Sequence, residues 1–144
     1  MTTPPTALPD TAEVIARFNA VFTEHDASGL NALIGEDCVM ETVEPAPEGV
    51  RYIGRAACVA FWRALAEDRA VAFRPEQVIV AGEWATVRWR FRFGEGPSDY
   101  VTGVNVTRVR DGLIVESVGY SKTATAGSDA LTELIDEGSV AWNA

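Results

Sequence analysis

An α+β domain, with helices lying over a curved antiparallel sheet and a pocket between the two layers, follows from three features of this sequence. Residues 36–65 run through a short strand, a proline-rich crossing and a Gly-started amphipathic helix. The hydrophobic period then changes from 3.6 in the first half of the chain to 2 in the second. Finally, the strand-like segments of the second half are joined by connections too short for crossovers, which makes them an antiparallel meander.

Each element has its own local signal. Asp10 followed by Glu13 is the acidic form of a capping box, and Val14, Phe18, Val21 and Phe22 then fall on one helical stripe. The pattern halts at His25-Asp26, where Asp26 is placed to cap a short second helix carrying Leu30, Leu33 and Ile34 and closed by Gly35. Residues 38–43 read as a strand. Pro45 and Pro47 lack backbone donors and end it, leaving a loop and a brief strand at 51–53. From Gly54 a third helix sets Cys58, Phe61, Trp62 and Leu65 at i, i+3, i+4 and i+7, one face of the helix. Strands at 71–81, 84–93, 100–109 and 113–121 follow, separated by Gly82-Glu83, by GEGPS at 94–98 and by the tight-hairpin pair Asp111-Gly112. Pro75 demands a bulge or an edge position, which helps the sheet to bend.

Alternation separates the two sheet faces. Ala85, Val87, Trp89, Phe91 and Phe93 point one way, while Arg88, Arg90 and Arg92 point the other. The last two strands carry apolar residues on both sides, so the sheet needs two covers. The helices supply one, and a second copy of the chain, docked on the outer face as a homodimer, supplies the other. Beyond residue 122, Leu131, Leu134 and Ile135 between Ser128 and Gly138 mark a helical tail that latches over either the pocket or the dimer edge. The chain therefore divides into an N-terminal arm at 1–9, a domain at 10–122 and a tail at 123–144.

Composition limits the function classes. With 144 residues, 47% of them hydrophobic, the chain suits one domain. A net charge of −9 disfavours nucleic acid and anionic membranes as partners. The first residues, MTTPPTALPD, have neither the charged nor the apolar region of a leader, and no apolar run approaches a membrane span, so a soluble, cytoplasmic protein is expected. Cys38 and Cys58 lie in apolar patterns and read as free, buried thiols. His25 is the only histidine and sits at a helix end, as a turn residue would. No metal site is expected from one histidine without clustered ligands, and no nucleophile elbow, phosphate loop or dinucleotide fingerprint is present, so no cofactor is expected either.

The order of elements, with IGRAACVAFW at 53–62, RVRDGLIVESVGY at 108–120 and the pair His25-Asp26, resembles the nuclear transport factor 2-like superfamily in its SnoaL-like and ketosteroid-isomerase-like branch. The resemblance spans about residues 10–122 and implies a cone: a curved sheet wrapped around the N-terminal helices, enclosing an apolar cavity, commonly in a homodimer. In the isomerase-like members a tyrosine, a general-base aspartate and a protonated aspartate occupy the places held here by Phe18, Thr42 and Asn105, and all three differ. The acid that cyclase-like members carry near the end of the final strand is likewise replaced, by Ser121 and Lys122.

The chemistry left to this chain is modest. Asn105, among apolar neighbours on the cavity face, either orients a ligand or makes a structural hydrogen bond. Glu44 is the acid/base candidate at the rim, with Glu41 behind it. Phe18, Met40, Thr42, Trp62, Trp89 and Phe91, with Val101, Gly103, Ser117 and Ser121, complete the expected substrate-binding surface. The leading expectation is a cofactor-independent isomerase, cyclase or dehydratase acting on a hydrophobic cyclic metabolite, and the alternative is a non-catalytic ligand-binding or dimerisation domain. Epoxide hydrolysis would need two acids and an arginine inside the cavity, whereas the arginines of 84–93 are assigned outside.

Overall fold

The computed structural model describes residues 7–122, so the helical tail expected at 123–144 lies outside the described residues. Two helices and six strands make up the fold. Helix α1 spans Thr11–Thr23, and its Asp10 cap accepts a hydrogen bond from the Glu13 amide at 2.8 Å. Strands β1 (Ile34–Glu41) and β2 (Arg51–Ile53) lead to helix α2 (Arg55–Glu67). Gly54 stands at its N-cap with φ +94°, a conformation that costs a glycine little. Strands β3 (Ala72–Ala81), β4 (Trp84–Arg92), β5 (Tyr100–Arg110) and β6 (Leu113–Lys122) complete the chain.

The second helix expected at 26–35 is absent, and this is a correction. Asp26 instead accepts from the Ser28 amide in a local turn, a single 3-10 turn covers Asn31–Leu33, and Ile34 already begins β1. A helix that short gains too few hydrogen bonds to offset its nucleation. Gly35 also lies hard against β6, where an added Cβ would sit 3.1 Å from the Ile114 carbonyl oxygen. Leu30 and Ile34, fully buried, join the core from a turn and a strand.

One six-stranded sheet runs in the order β2-β1-β6-β5-β4-β3. Strands β3 to β6 form the expected meander, while β1 pairs parallel with β6, so the sheet is antiparallel apart from that one ladder. A parallel neighbour requires a crossover, here the whole of β2 to β5. Pro75 meets both of its requirements: β3 is an edge strand, and the register slips between Pro75 and Gln77. At the β5–β6 hairpin Asp111 and Gly112 have φ +53° and +74°, the pair of positive values that a two-residue turn of this twist needs.

The core lies between the helices and one sheet face. Phe18 packs edge-on against Phe22 and Trp62 with ring centroids 5.0 and 4.9 Å away, and Phe22 continues through Phe73 to Trp89. His25 adopts φ +53° after α1, and its Nδ1–H donates to the Ala66 carbonyl at 2.9 Å, tying the end of α1 to the end of α2. The opposite face carries the arginines. Arg90 lies 4.6 Å over the Tyr100 ring and 3.5 Å from Glu76, and Arg108 and Arg110 share Glu83. Among the described residues, no helix is long and apolar enough to cross a membrane.

Candidate functional site

A pocket of about 660 Å³ opens between α2 and the inner face of the sheet. Strand pairing explains what faces it, because residues directly opposite on neighbouring strands share a face. The row Phe73, Phe91, Val101 crosses β3, β4 and β5, and Trp89, Gly103, Ser121 crosses β4, β5 and β6. Then come Val87, Asn105, Gly119 and, deepest, Ala85, Thr107, Ser117, Met40, the last reaching β1. Phe61, Trp62 and Leu65 of α2 form the opposite wall.

Two glycines shape this floor. A Cβ on Gly103 would sit 2.5 Å from Trp89 Cη2 and Cζ2 and collide with the Tyr120 carbonyl oxygen, so the bare backbone lets the indole lie flat across β5. At Gly119 a Cβ would meet Val43 Cγ2 at 2.9 Å and Asn105 Oδ1 at 3.0 Å, so the Asn105 amide lies over the glycine it faces. The Asn105 side chain has no hydrogen-bond partner among the described residues. By contrast, Ser117 and Thr107, both buried, hydrogen-bond each other at 3.0 Å. The Trp89 indole N–H is buried and unpartnered among the described residues, a cost of about 1–3 kcal/mol carried by the aromatic wall.

The rim is built by the segment after β1. Thr42 Oγ1 donates to the Glu44 carbonyl at 2.7 Å and accepts from the Val50 amide at 2.8 Å, which closes the proline loop. Its hydroxyl is thus engaged with the backbone while the residue lines the pocket. Glu44 lines the rim and is exposed.

Of the residues expected to contact substrate, Met40, Thr42, Trp62, Trp89, Phe91 and Val101 line the pocket, as do Asn105, Ser117, Ser121 and Glu44. Phe18 and Gly103 do not, and these two are corrections: Phe18 is buried behind Trp62, and Gly103 lies under the Trp89 ring. Phe73, Val43 and Gly119 belong to the pocket but were not anticipated. The bulge at Pro75 hid the inward phase of Phe73, and a glycine carries no polarity signal; only its position opposite Asn105 marks it.

The remaining titratable groups lie elsewhere. Burial raises the Cys38 thiol to about 12, with Cys58 close by adding to the effect, and burial also raises Cys58. Hydrogen bonds from Arg110 and Arg108 hold Glu83 below the usual carboxylate range. Among the described residues no cluster of three His, Cys, Asp or Glu side chains is arranged to hold a metal ion.

The SnoaL-like domain family matches residues 15–117, most of the described chain. The chain belongs to that family. The fold agrees: a nuclear transport factor 2-like protein of unknown function from Mesorhizobium loti is 47% identical, with a TM-score of 0.75 over 82% of this chain and 100% of that one. A candidate polyketide cyclase from Sinorhizobium meliloti is 27% identical, with a TM-score of 0.59 over 78% of this chain and 94% of that one. A steroid delta-isomerase from Pseudomonas aeruginosa shares the fold at 18% identity, with a TM-score of 0.66 over 93% and 100% of the two chains. No curated protein matches the chain.

Proposed function

We propose that this SnoaL-like protein binds a hydrophobic, ring-bearing metabolite in the pocket between α2 and the sheet and acts on it without a cofactor, by isomerisation, cyclisation or dehydration. The observation that carries the reading is Asn105: an amide with no hydrogen-bond partner among the described residues, on a largely apolar wall. Asn105 is half-buried, so a ligand that covers its amide has to supply a carbonyl or hydroxyl partner or incur about 1–3 kcal/mol. Aromatic rings on both walls suit a flat ring, and a few polar groups on an apolar wall are the usual composition of a small-molecule site. In this reading Asn105 Nδ2 donates to a carbonyl as its oxygen gains charge, and Glu44 moves the proton at the rim. The neighbours in Sinorhizobium meliloti and Pseudomonas aeruginosa support this range of reactions by analogy.

A non-catalytic ligand-binding role is the second reading. It is favoured by one observation: the acids lining the pocket, Glu41 at the end of β1 and Glu44 in the loop after it, lie at its edge, while the polar groups of the floor are an amide and hydroxyls. Native mass spectrometry of protein purified from its own host, looking for a retained small molecule, tests both readings at once. Retention that Asn105→Leu abolishes supports the site. Turnover of the retained compound that falls in Glu44→Gln selects catalysis, and retention without turnover selects binding. Retention that survives Asn105→Leu unchanged refutes the assignment.

We also propose that the outer sheet face forms a homodimer contact. Val104 and Val106 of β5 and Val118 of β6 are only half-buried there, and Tyr120 is 59% exposed.

A further inference from the structure

The pocket carries a charge asymmetry. None of its seventeen lining residues is Lys, Arg or His, while Glu44 brings an acid to the rim and Glu41, paired with the outer-face Val118, adds a second at the edge. A second hollow, of about 950 Å³, lies on the other side of the same rim segment. It shares Glu41 and Glu44, adds Glu48, and again contains no basic residue. The acids at this rim therefore have no base beside them among the residues lining either hollow.

None of the chain's twelve Lys and Arg residues lines either hollow, and several are engaged elsewhere. Arg108 and Arg110 hold Glu83, Arg90 lies between Glu76 and Tyr100, Arg92 donates to the Gly94 and Gly96 carbonyls, and Arg55 donates to the Ile34 carbonyl. Arg51, the cross-strand neighbour of Glu41, is exposed and lines neither hollow. The 22 residues after Lys122 contain four acids and no base, so that part of the sequence supplies no cation either. An anion entering an apolar pocket loses its hydration and needs a charged partner to replace it. Here it would meet an amide, hydroxyls and like charge.

We infer that the pocket selects ligands by charge: it takes apolar rings whose polar groups are neutral or cationic, such as hydroxyl, keto or amino groups, and turns away carboxylates and phosphates. This inference rests on the ligand-site reading above. A neutral group would satisfy Asn105 on the floor, and an ammonium group would be drawn to Glu44 at the rim.

Three naphthalenes differing only in their head group test it: 2-naphthol, 2-naphthylmethylammonium and 2-naphthoate, titrated calorimetrically at neutral pH and low salt. The expected result is that the alcohol and the ammonium bind while the carboxylate binds about fivefold or more weaker than the ammonium, a gap of the size one uncompensated nearby charge produces. Glu44→Lys, a change at an exposed loop residue, should narrow or reverse the gap. Carboxylate binding as tight as ammonium binding overturns the charge inference, and a gap untouched by Glu44→Lys overturns the role of the rim. If none of the three binds at millimolar concentration, the ligand-site reading itself fails, an outcome distinct from the other two.

Discussion

Gly103→Ala is the sharpest test of how the floor is built. The new methyl would sit 2.5 Å from two carbons of the Trp89 benzo ring and would also collide with the Tyr120 carbonyl oxygen. The ring can rotate away only into the pocket, and the carbonyl belongs to the β5–β6 ladder, where Gly103 pairs with Ser121. Overpacking a well-filled interior costs about 1–3 kcal/mol, and an obstruction that includes backbone belongs in the upper part of that range, about 2–3 kcal/mol. For a domain of this size each kcal/mol lowers Tm by roughly 4 °C, so a fall of about 8–12 °C is expected in a thermal melt followed by circular dichroism. A double-mutant cycle isolates the cause. Trp89→Phe removes the outer ring carbons, so the pair should be less destabilised than the sum of the singles by about 1 kcal/mol, with the Tyr120 clash remaining. A Gly103→Ala protein that melts with the wild type, or strict additivity in the cycle, would refute the packing argument.

Three further outcomes are expected. Gly119→Ala crowds only side-chain atoms, Val43 Cγ2 and Asn105 Oδ1, the Glu41 carbonyl oxygen lying at an ordinary 3.8 Å, so Tm should move by less than about 4 °C while 2-naphthol binding falls, as calorimetry would show; unchanged binding would separate Asn105 from the ligand. The Cys38 thiol, raised from 9.0 to about 12, favours the folded state as long as the thiol stays protonated, so its contribution is complete below pH 9 and is lost as pH rises towards 12. Alkylation at pH 8 should therefore leave both cysteines unmodified in the native protein and modify both in denaturant, read by intact mass. Val106→Glu on the outer sheet face should convert the expected dimer to a monomer in light scattering, and a wild-type monomer would remove that proposal.

Much of the fold was legible because short-range signals and tertiary demands agree. The Asp10 cap, the Gly54 start and the Asp111-Gly112 hairpin need only neighbours within a few residues, and each stands where local chemistry puts it. Alternation in β4 assigned Trp89 and Phe91 to the inner face for the same reason. The segment at 26–35 misled because Leu30, Leu33 and Ile34 have helical spacing, yet pairing of β1 with β6 contributes more than a helix of two turns could. Phe18 misled differently. A residue on the apolar stripe of a helix can face a pocket or another helix, and only the position of Trp62 decides which.

By itself the sequence determined the two-layer architecture and the inward set of β4, because periodicity and turn chemistry are properties of the chain alone. The tertiary structure decided the site. It set Gly103 beneath Trp89, turned Gly119 towards Asn105, tied the Thr42 hydroxyl into the rim loop and left Asn105 without a partner among the described residues. The two glycine relations join residues distant in sequence through strand register, and a register slipped by one residue would turn them to the other face.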